Sequence, residues 1–485
     1  MIAYGISANE HDASLAVLID GEVAFASSAE RYSRVKNDPH LNEALLAAAA
    51  AYGAPDLIVW YEKPFLKRMR RLSSGDYRRA FQRDGAAYLR RFGLRAPVRF
   101  AGHHESHAAA GFFTSPFDEA AILVVDAIGE WDTASAWIGR GRTLRKIWSR
   151  RYPHSLGLLY SAFTQRVGLK PNEEEYILMG MAAFGRPVHR DSIVETFVAR
   201  RQPPAFALKE NVHRGIRWWR PELDDRENIA ASIQLVTEEM LLALATWVAR
   251  KTGLRNLVMM GGVALNCVSN AKIASSGLFD DIWIMPNPGD AGSSIGCVAA
   301  HLRSRVKWVH PYLGHDIARP FDSAGALAAL LAGEVIGVAN GRAEFGPRAL
   351  GNRSLLADPR GPLTKDKVNA IKRREKFRPF APVIMEEHAK SFFDMPVASS
   401  PYMQFTAPVR EPTLYPAIAH VDGTARVQTV TRAQNPNLYG LLEEFHRQTG
   451  CPMLLNTSLN VKGEPLVNDW SDAARFAAAS RVKMF

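Results

Sequence analysis

At 485 residues the chain is long enough for about two or three domains of ordinary size. Hydrophobic residues at 47%, charged residues at 22%, and 35 glycines with 28 prolines are globular proportions, which exclude a disordered, collagen-like or coiled-coil protein. The net charge of +11 suits nucleic acid, a membrane surface and small anions alike, so charge alone selects no partner.

The opening MIAYGISANEHDAS lacks the basic and apolar regions of a signal peptide, and no apolar run approaches the ~18–20 residues of a membrane span, so a cytoplasmic location is expected. IAYGIS, ASLAVLI and EVAFAS read as strands, the last two joined by an Asp20-Gly21 hairpin turn. A polar loop from Glu30 to Asn42 leads to strong helix formers at 43–51 and the strand-like LIVWY at 57–61, an order that implies α/β. Residues 66–95 carry many Arg and Lys with Leu, Tyr and Phe at helical spacing, the pattern of a solvated amphipathic helix rather than a nucleic-acid arm. At 120–141 a strand-turn-strand unit returns (AAILVVD, AIGEWD, TASAWIGRG), and the repeated theme suggests a duplication. A long amphipathic helix is expected over 229–252, then the strand LVMM, a Gly-Gly turn and the helix ALNCVSNAKIA. PNPGDAG turns into the small-residue helix SSIGCVAA, and the prolines between Pro311 and Pro320 read as a linker, placing a domain boundary between 314 and 315. From EVIGVAN onward a smaller α+β domain is expected, with the basic loop GRAEFGPRALGNRS and a helix around TKDKVNAIKRRE.

Chemistry-bearing residues form three groups. His103 and His107 stand four apart, on one face of a helix, where two imidazoles can chelate one metal ion. The segment lacks the glutamate of a zinc-protease motif. Asp126 at a strand end and Asp290 in a glycine-rich turn would complete an N2O2 set compatible with iron, manganese or zinc; the alternative is that both cap turns. Cys267, Cys297 and Cys451 are too dispersed for a disulfide framework or a thiolate zinc site and are expected to be buried and inert.

The second group is made of glycine turns: Asp126 to Gly129, and Gly261-Gly262 ahead of Asn266, where a helix N-terminus attracts phosphate. Neither fits the P-loop or GxGxxG pattern, but the ordering is similar to the nucleotide site of the actin, hexokinase and Hsp70 class. The third group is cationic. Arg342, Arg348 and Arg353 share a loop, Lys372, Arg373, Arg374, Lys376 and Arg378 follow, then Arg426, and LLNTSLN offers Asn456, Thr457, Ser458 and Asn460. Arginine forks with amide and hydroxyl donors suit a compact phosphate dianion, although about half of the charges at 365–378 belong on a solvated helix.

Taken in order, GISANEHDASLAVLIDGEV, AERYSRVKND, HHESHAAAGFFTSPFDEAAILVVD, GEWDT, MGMAAFG, GGVALNCVSN, PNPGDAGSSIG, GRAEFGPRALGNRS, KFRPFAP, HVDGTARVQT and NTSLNVKGEPLV resemble the carbamoyltransferase family of antibiotic O-carbamoyltransferases and nodulation-factor carbamoyltransferases, across almost the whole chain. The resemblance implies an α/β, actin-like (ASKHA) N-terminal domain over 1–314 and a smaller YrdC-like α+β domain over 315–485. It implies a metal, iron or another divalent ion, on His103, His107, Asp126 and Asp290. It places the nucleotide at Gly129, Gly261, Gly262 and Asn266, carbamoyl phosphate at Arg348, Lys372, Arg378, Arg426, Asn456 and Ser458, and His11 beside the acceptor.

The family's chemistry then gives three steps: carbamoyl phosphate is cleaved to carbamate and phosphate, carbamate attacks the α-phosphate of ATP, with Mg2+ as a further candidate cofactor, to give carbamoyl adenylate and pyrophosphate, and an acceptor hydroxyl takes the carbamoyl group, releasing AMP. A neutral His11 would accept the hydroxyl's proton near pH 7, unless it is a structural histidine. The expected partners are these substrates and a small hydroxylated metabolite, without nucleic acid or membrane, and the apolar helix faces allow a homodimer. Three departures from the family pattern stand out: Ala127 for a usual glycine, Ile177 for a common lysine, and a short C-terminal tail after EPLVNDWSDAARF. They leave open a catalytically weakened, partner-dependent nucleotide-binding subunit. Two further alternatives are the same adenylate chemistry with a nitrogen acceptor, and tRNA modification through the shared nucleotide fold.

Overall fold

The first three apolar runs pair as an antiparallel meander of β1 (Ile2–Ser7), β2 (Ser14–Ile19) and β3 (Glu22–Ser28). Asp20 and Gly21 turn the second hairpin with φ of 51° and 87°, the positive pair that a two-residue hairpin loop demands. β4 (Leu57–Trp60) and β5 (Val98–Phe100) add parallel to β1, giving the order β3-β2-β1-β4-β5. This description is of a computed structural model covering residues 1–375 and 377–485; Lys376 lies outside the described residues.

The same pattern returns further along. β6 (Glu119–Val125), β7 (Asp132–Arg140) and β8 (Thr143–Arg151) form a second meander, β9 (Val198–Arg200) and β10 (Ala207–Leu208) a separate ribbon, and β11 (Asn256–Met260) and β12 (Asp281–Trp283) extend the second sheet parallel to β6. Its order, β8-β7-β6-β11-β12, repeats the first sheet strand for strand. The duplication expected from the two hairpins is thus a duplication of the whole five-stranded unit. Helix Ser293–Leu302 packs on β1 and β4, helix His103–Thr114 packs on β6 and β11, and the two helices pack on each other. Helix Arg226–Thr252 is long and apolar enough to cross a membrane, but 67% of its apolar window is buried inside the fold, as befits a core helix.

Residues 64–100 depart from expectation. In place of one solvated amphipathic helix there are three short ones, Pro64–Ser73, Tyr77–Ala80 and Ala86–Leu89. The first is inverted: Lys67, Arg70 and Arg71 are buried, whereas Phe65 is 70% and Met69 47% exposed. Buried carboxylates hold the basic face inward, since Lys67 pairs with Glu62, Glu10 and Asp84.

The C-terminal part is α+β. β13 (Tyr312–Ile317) and β15 (Gly341–Glu344) pair as a ribbon. β14 (Ile336–Ala339), β16 (Arg353–Ala357), β17 (Ala381–Met385), β18 (Phe405–Pro408), β19 (Thr424–Val430), β20 (Met453–Ser458) and β21 (Lys483–Met484) build a seven-stranded mixed sheet, in the order β18-β19-β17-β20-β16-β14-β21. Helices Ser323–Leu331, Pro436–Thr449 and Trp470–Ser480 bury Leu330, Leu441, Phe445 and Phe476 in its core. The final residue is tied in through Phe485, whose backbone N–H donates to Gly337 O and whose O accepts from Ala339.

The chain divides into one unit of Met1–Ala29 with Asn37–Trp308 and another of Glu30–Lys36 with Val309–Phe485. The division falls ahead of the expected boundary at 314/315, because the prolines at 311 and 320 flank strand β13 rather than a linker. The short segment Glu30–Lys36, expected in the first domain, belongs to the second.

Candidate active site

Helix His103–Thr114 begins at its own candidate ligand. Ser106 Oγ and the Glu105 carboxylate close its first turn on Gly102, so His103 and His107 project from one face at the N-terminal end. Asp126 follows the last residue of β6, and Asp290 opens the turn into helix Ser293–Leu302. The four donors of the proposed N2O2 set converge: their ligand atoms all lie within 4.8 Å of one another. His103 Nε2 stands 3.2 Å from Asp126 Oδ2, 3.4 Å from Asp290 Oδ1 and 3.2 Å from His107 Nε2, which is itself 3.3 Å from Asp290 Oδ1.

Those separations test the fit of a cation. Donors about 2.1 Å from a central ion in tetrahedral or octahedral array sit roughly 3.0–3.5 Å apart, close to the edges seen here. Two imidazole nitrogens facing each other across 3.2 Å cannot both present protons, whereas two lone pairs aimed at one cation can. Electrostatics agree. Burial and the Asp290 charge push the Asp126 carboxyl up, but His103 and His107 outweigh them and hold it at about 2. Asp290 is likewise held below the usual carboxylate range, its burial outweighed by the same two histidines. Burial would lower His103, yet Asp290, Asp126 and Glu62 carry it well above the ordinary histidine range. His104, buried beside two other histidines and hydrogen-bonded to Ser135, is pushed down and stays outside the set.

The glycine turns sit against this cluster. Gly262 N–H donates to Asp126 Oδ1 at 3.0 Å, joining the Gly-Gly turn to a candidate ligand. Gly261 has φ of 88° and brings its backbone so near β6 that a Cβ would lie 2.2 Å from Val125 O. A Cβ on Gly129 would lie 2.8 Å from the His103 ring, so this glycine first serves to admit the imidazole. Asn266 caps helix Cys267–Ala274 through Ser269 N–H and exchanges amide hydrogen bonds with Gln234. Its oxygen is thus committed locally. Ala127 packs against Gly157, and Ile177 is buried in helix Glu175–Met181.

His11 lies in the β1–β2 loop. Its Nδ1 is 2.8 Å from the Asp12 carboxylate and its Nε2 meets the Asn172 carbonyl, two groups that can only accept. Both ring nitrogens therefore carry protons. Burial would lower the imidazole, but Asp12 foremost, then Asp290 and the carbonyl, raise it to about 9. This arrangement favours an imidazolium that donates over the neutral base expected near pH 7. Sequence reasoning also missed the buried network of Glu62, Lys67, Glu10 and Arg71, since Glu10 is far from the other three in sequence and only their contact reveals it.

In the second unit the cationic group sorts into two kinds. Arg353 is fully buried and donates to backbone carbonyls of His315, Asn340, Gly341, Asn352 and Asn468; Arg342 donates to Leu313 and Gly314. Both hold the loop. Glu344 does the same from within, accepting from the amides of Leu350, Asn352 and Arg353. Arg348, the candidate ligand expected in this loop, lies between Glu344 and the Leu350 amide that Glu344 holds. The expected solvated helix stops at Ile371, and Lys372 turns inward instead, its ammonium among Ser458 O and Oγ and Asn460 O and Oδ1. Burial first, then the neighbouring Arg374 and Arg378, push this lysine well below its ordinary value, a crowding that an anion would relieve. Asn456 donates to Ala349 O, beside Arg348, and to Gln428 Oε1, and Gln428 in turn donates to Leu350 O. Alternation along β19 puts Arg426 on the same face as Gln428. Gln428, inside the HVDGTARVQT segment, is the linking residue that the sequence reading passed over.

Two family profiles match, the carbamoyltransferase N-terminus over residues 70–300 and the carbamoyltransferase C-terminus over 327–485. Among relatives, the uncharacterized protein sll1178 of Synechocystis sp. is 37% identical over 97% of this chain and 93% of its own length. Nodulation protein NolNO of Sinorhizobium fredii is 34% identical over 96% of this chain and 76% of its own. The 3'-hydroxymethylcephem-O-carbamoyltransferase of Amycolatopsis lactamdurans is 30% identical over 97% and 95%. Two profiles in tandem and relatives matched nearly end to end lead to one conclusion: the chain is an enzyme of the carbamoyltransferase family.

Proposed function

We propose that the protein is an ATP-dependent O-carbamoyltransferase acting on a hydroxyl of a small metabolite. The observation that carries this reading is the coexistence, on one chain, of an N2O2 donor set joined to glycine turns and a crowded cationic cluster around Lys372. Carbamoyl phosphate and water give carbamate and phosphate; carbamate displaces pyrophosphate from ATP to form carbamoyl adenylate; the acceptor oxygen takes the carbamoyl group and AMP leaves with the hydroxyl proton released. Arg348, Lys372, Arg378, Arg426, Asn456 and Ser458 bind carbamoyl phosphate through charge-assisted hydrogen bonds. His103, His107, Asp126 and Asp290 would hold a divalent ion, which we take to be iron, and it would supply positive charge to phosphate oxygens. Amides of the Gly261-Gly262 turn add donors for the same charge. His11, as an imidazolium, orients an anionic substrate rather than deprotonating the acceptor. Keeping both halves on one chain limits the time carbamate, which decomposes in water, spends free.

The test is AMP and pyrophosphate release from ATP with iron present, with and without carbamoyl phosphate, at constant bicarbonate. Release that depends on carbamoyl phosphate is expected; equal release in its absence, or none at all, contradicts the reading. His107→Ala should lose metal and adenylate formation together. Lys372→Ala should cut carbamoyl-phosphate use by about 100-fold or more, the loss of a buried charge-assisted cluster, while metal content stays at the wild-type level. Wild-type turnover in the lysine variant would remove it from the site.

A further inference from the structure

The charges buried behind the metal-ligand set take no part in the steps above. Glu62 follows β4 and Tyr61, whose carbonyl accepts from Ser106 Oγ, so this strand end is fastened to the first turn of helix His103–Thr114. The Glu62 side chain is only 2% exposed. Its Oε1 receives the Lys67 ammonium, while Oε2 stands 3.9 Å from His103 Nδ1. That nitrogen is buried and makes no hydrogen bond among the described residues, so Glu62, at ion-pair rather than hydrogen-bond distance, is the carboxylate that faces it. The two nitrogens of one ring are therefore divided, Nε2 toward Asp126 and Asp290 and Nδ1 toward Glu62. A carboxylate on the Nδ1 side favours the tautomer whose Nε2 lone pair is free for a cation. His107 has the same Nε2 placement, yet among the described residues no carboxylate lies within ion-pair distance of its Nδ1.

The surroundings are built to keep Glu62 in place. Lys67, 1% exposed, also meets Glu10 at 3.1 Å and Asp84 at 3.8 Å, and Arg71 pairs with Glu10 from the next turn. Helix Pro64–Ser73 turns Phe65 and Met69 to solvent in order to deliver these cations inward, an arrangement opposite to what apolar burial alone would choose. We propose that Glu62, anchored by Lys67, is the positioning residue of the metal centre: it fixes the His103 ring with the Nδ1 proton toward itself and Nε2 toward the ion. The proposal rests on the reading of His103, His107, Asp126 and Asp290 as ligands.

The experiment measures Co(II) affinity of the full chain by competition with a chromophoric chelator, alongside the melting temperature of metal-free protein. Glu62→Gln should bind Co(II) about 10–100-fold more weakly, the usual cost of losing a carboxylate partner of a ligating histidine. Its metal-free melting temperature should not move, because Lys67 keeps Glu10 and Asp84. Should that variant fold poorly, Glu62→Asp keeps a carboxylate for Lys67 but withdraws it from His103, and the same weakening is expected. Co(II) affinity at the wild-type level in either folded variant overturns the positioning role and leaves the ligand assignment standing. A wild-type protein that binds no Co(II) overturns both.

Discussion

His11 shows how one side chain's partners decide its chemistry. An imidazole between a carboxylate and a carbonyl must donate from both nitrogens, so its pKa rises from 6.5 to about 9. A group raised in the folded state stabilises fully below its unfolded pKa, and that contribution disappears as pH climbs through the folded value. Between about pH 6.5 and 9 the folded chain holds a proton that the unfolded chain releases, so stability must fall with rising pH over that window. The ring is about two-fifths exposed, at 42%, so solvent screening keeps the effect small. We expect 15N NMR of His11 to report both ring nitrogens protonated at pH 7.5, and the slope of melting temperature against pH to flatten in His11→Gln. A neutral ring at pH 7.5 would restore the base role that the sequence suggested.

Turns and short helices carry the site, and their backbones are its least tolerant part. Gly261 combines φ of 88° with a Cβ position 2.2 Å from Val125 O, so Gly261→Ala strains the backbone and collides with β6. The expected cost is about 1–3 kcal/mol, together with loss of nucleotide binding. Gly262→Ala is the informative companion: its Cβ would lie 3.2 Å from Asp126 Oδ1, with no positive φ to offend. It should melt close to wild type yet weaken Co(II) binding, because it crowds a ligand rather than the chain. Equal melting temperatures for both variants would refute this division. Elements of this kind were legible wherever the cause is local. Asp20-Gly21 announces its hairpin, the four-residue spacing of His103 and His107 announces a shared face, and Gly261-Gly262 announces a strand-to-helix turn. The inverted helix Pro64–Ser73 was not, because two of the carboxylates that pull its basic face inward, Glu10 and Asp84, lie outside it in sequence and join the adjacent Glu62 in outweighing its own amphipathic pattern.

At the scale of the whole molecule the least legible feature is the segment Glu30–Lys36, which leaves the first unit after β3 and folds into the second. No periodicity predicts such a placement; two arginines explain it. Arg31, 3% exposed, donates to Gly346 O at 3.0 Å and to Glu344 O and Val467 O at 3.5 Å. Arg34 donates to Leu466 O and Pro465 O and pairs with Asp472 at 3.3 Å. Burial depresses Arg31 below the ordinary guanidinium range, so it stays in place through these carbonyls and the nearby Glu30 and Glu344 charges. Gly346 lies two residues before Arg348, which makes the segment a clasp on the very loop that presents this cation. Arg31→Met keeps the buried volume but leaves three carbonyls without their donor, a change worth about 1–3 kcal/mol locally. Hydrogen exchange should then speed up at the amides of Phe345, Leu350, Val467 and Asn468, whose partners are Pro311 O, Glu344 Oε1, Leu459 O and Asp472 Oδ2. Amides of β1 and β6 should exchange as in wild type, since their partners lie within the first unit. Carbamoyl-phosphate KM should rise with the loosened loop, whereas Co(II) affinity should not change. Uniform acceleration across both units would mean that Arg31 supports global stability alone, and unchanged exchange at 345–350 would mean that the loop holds Arg348 without the clasp.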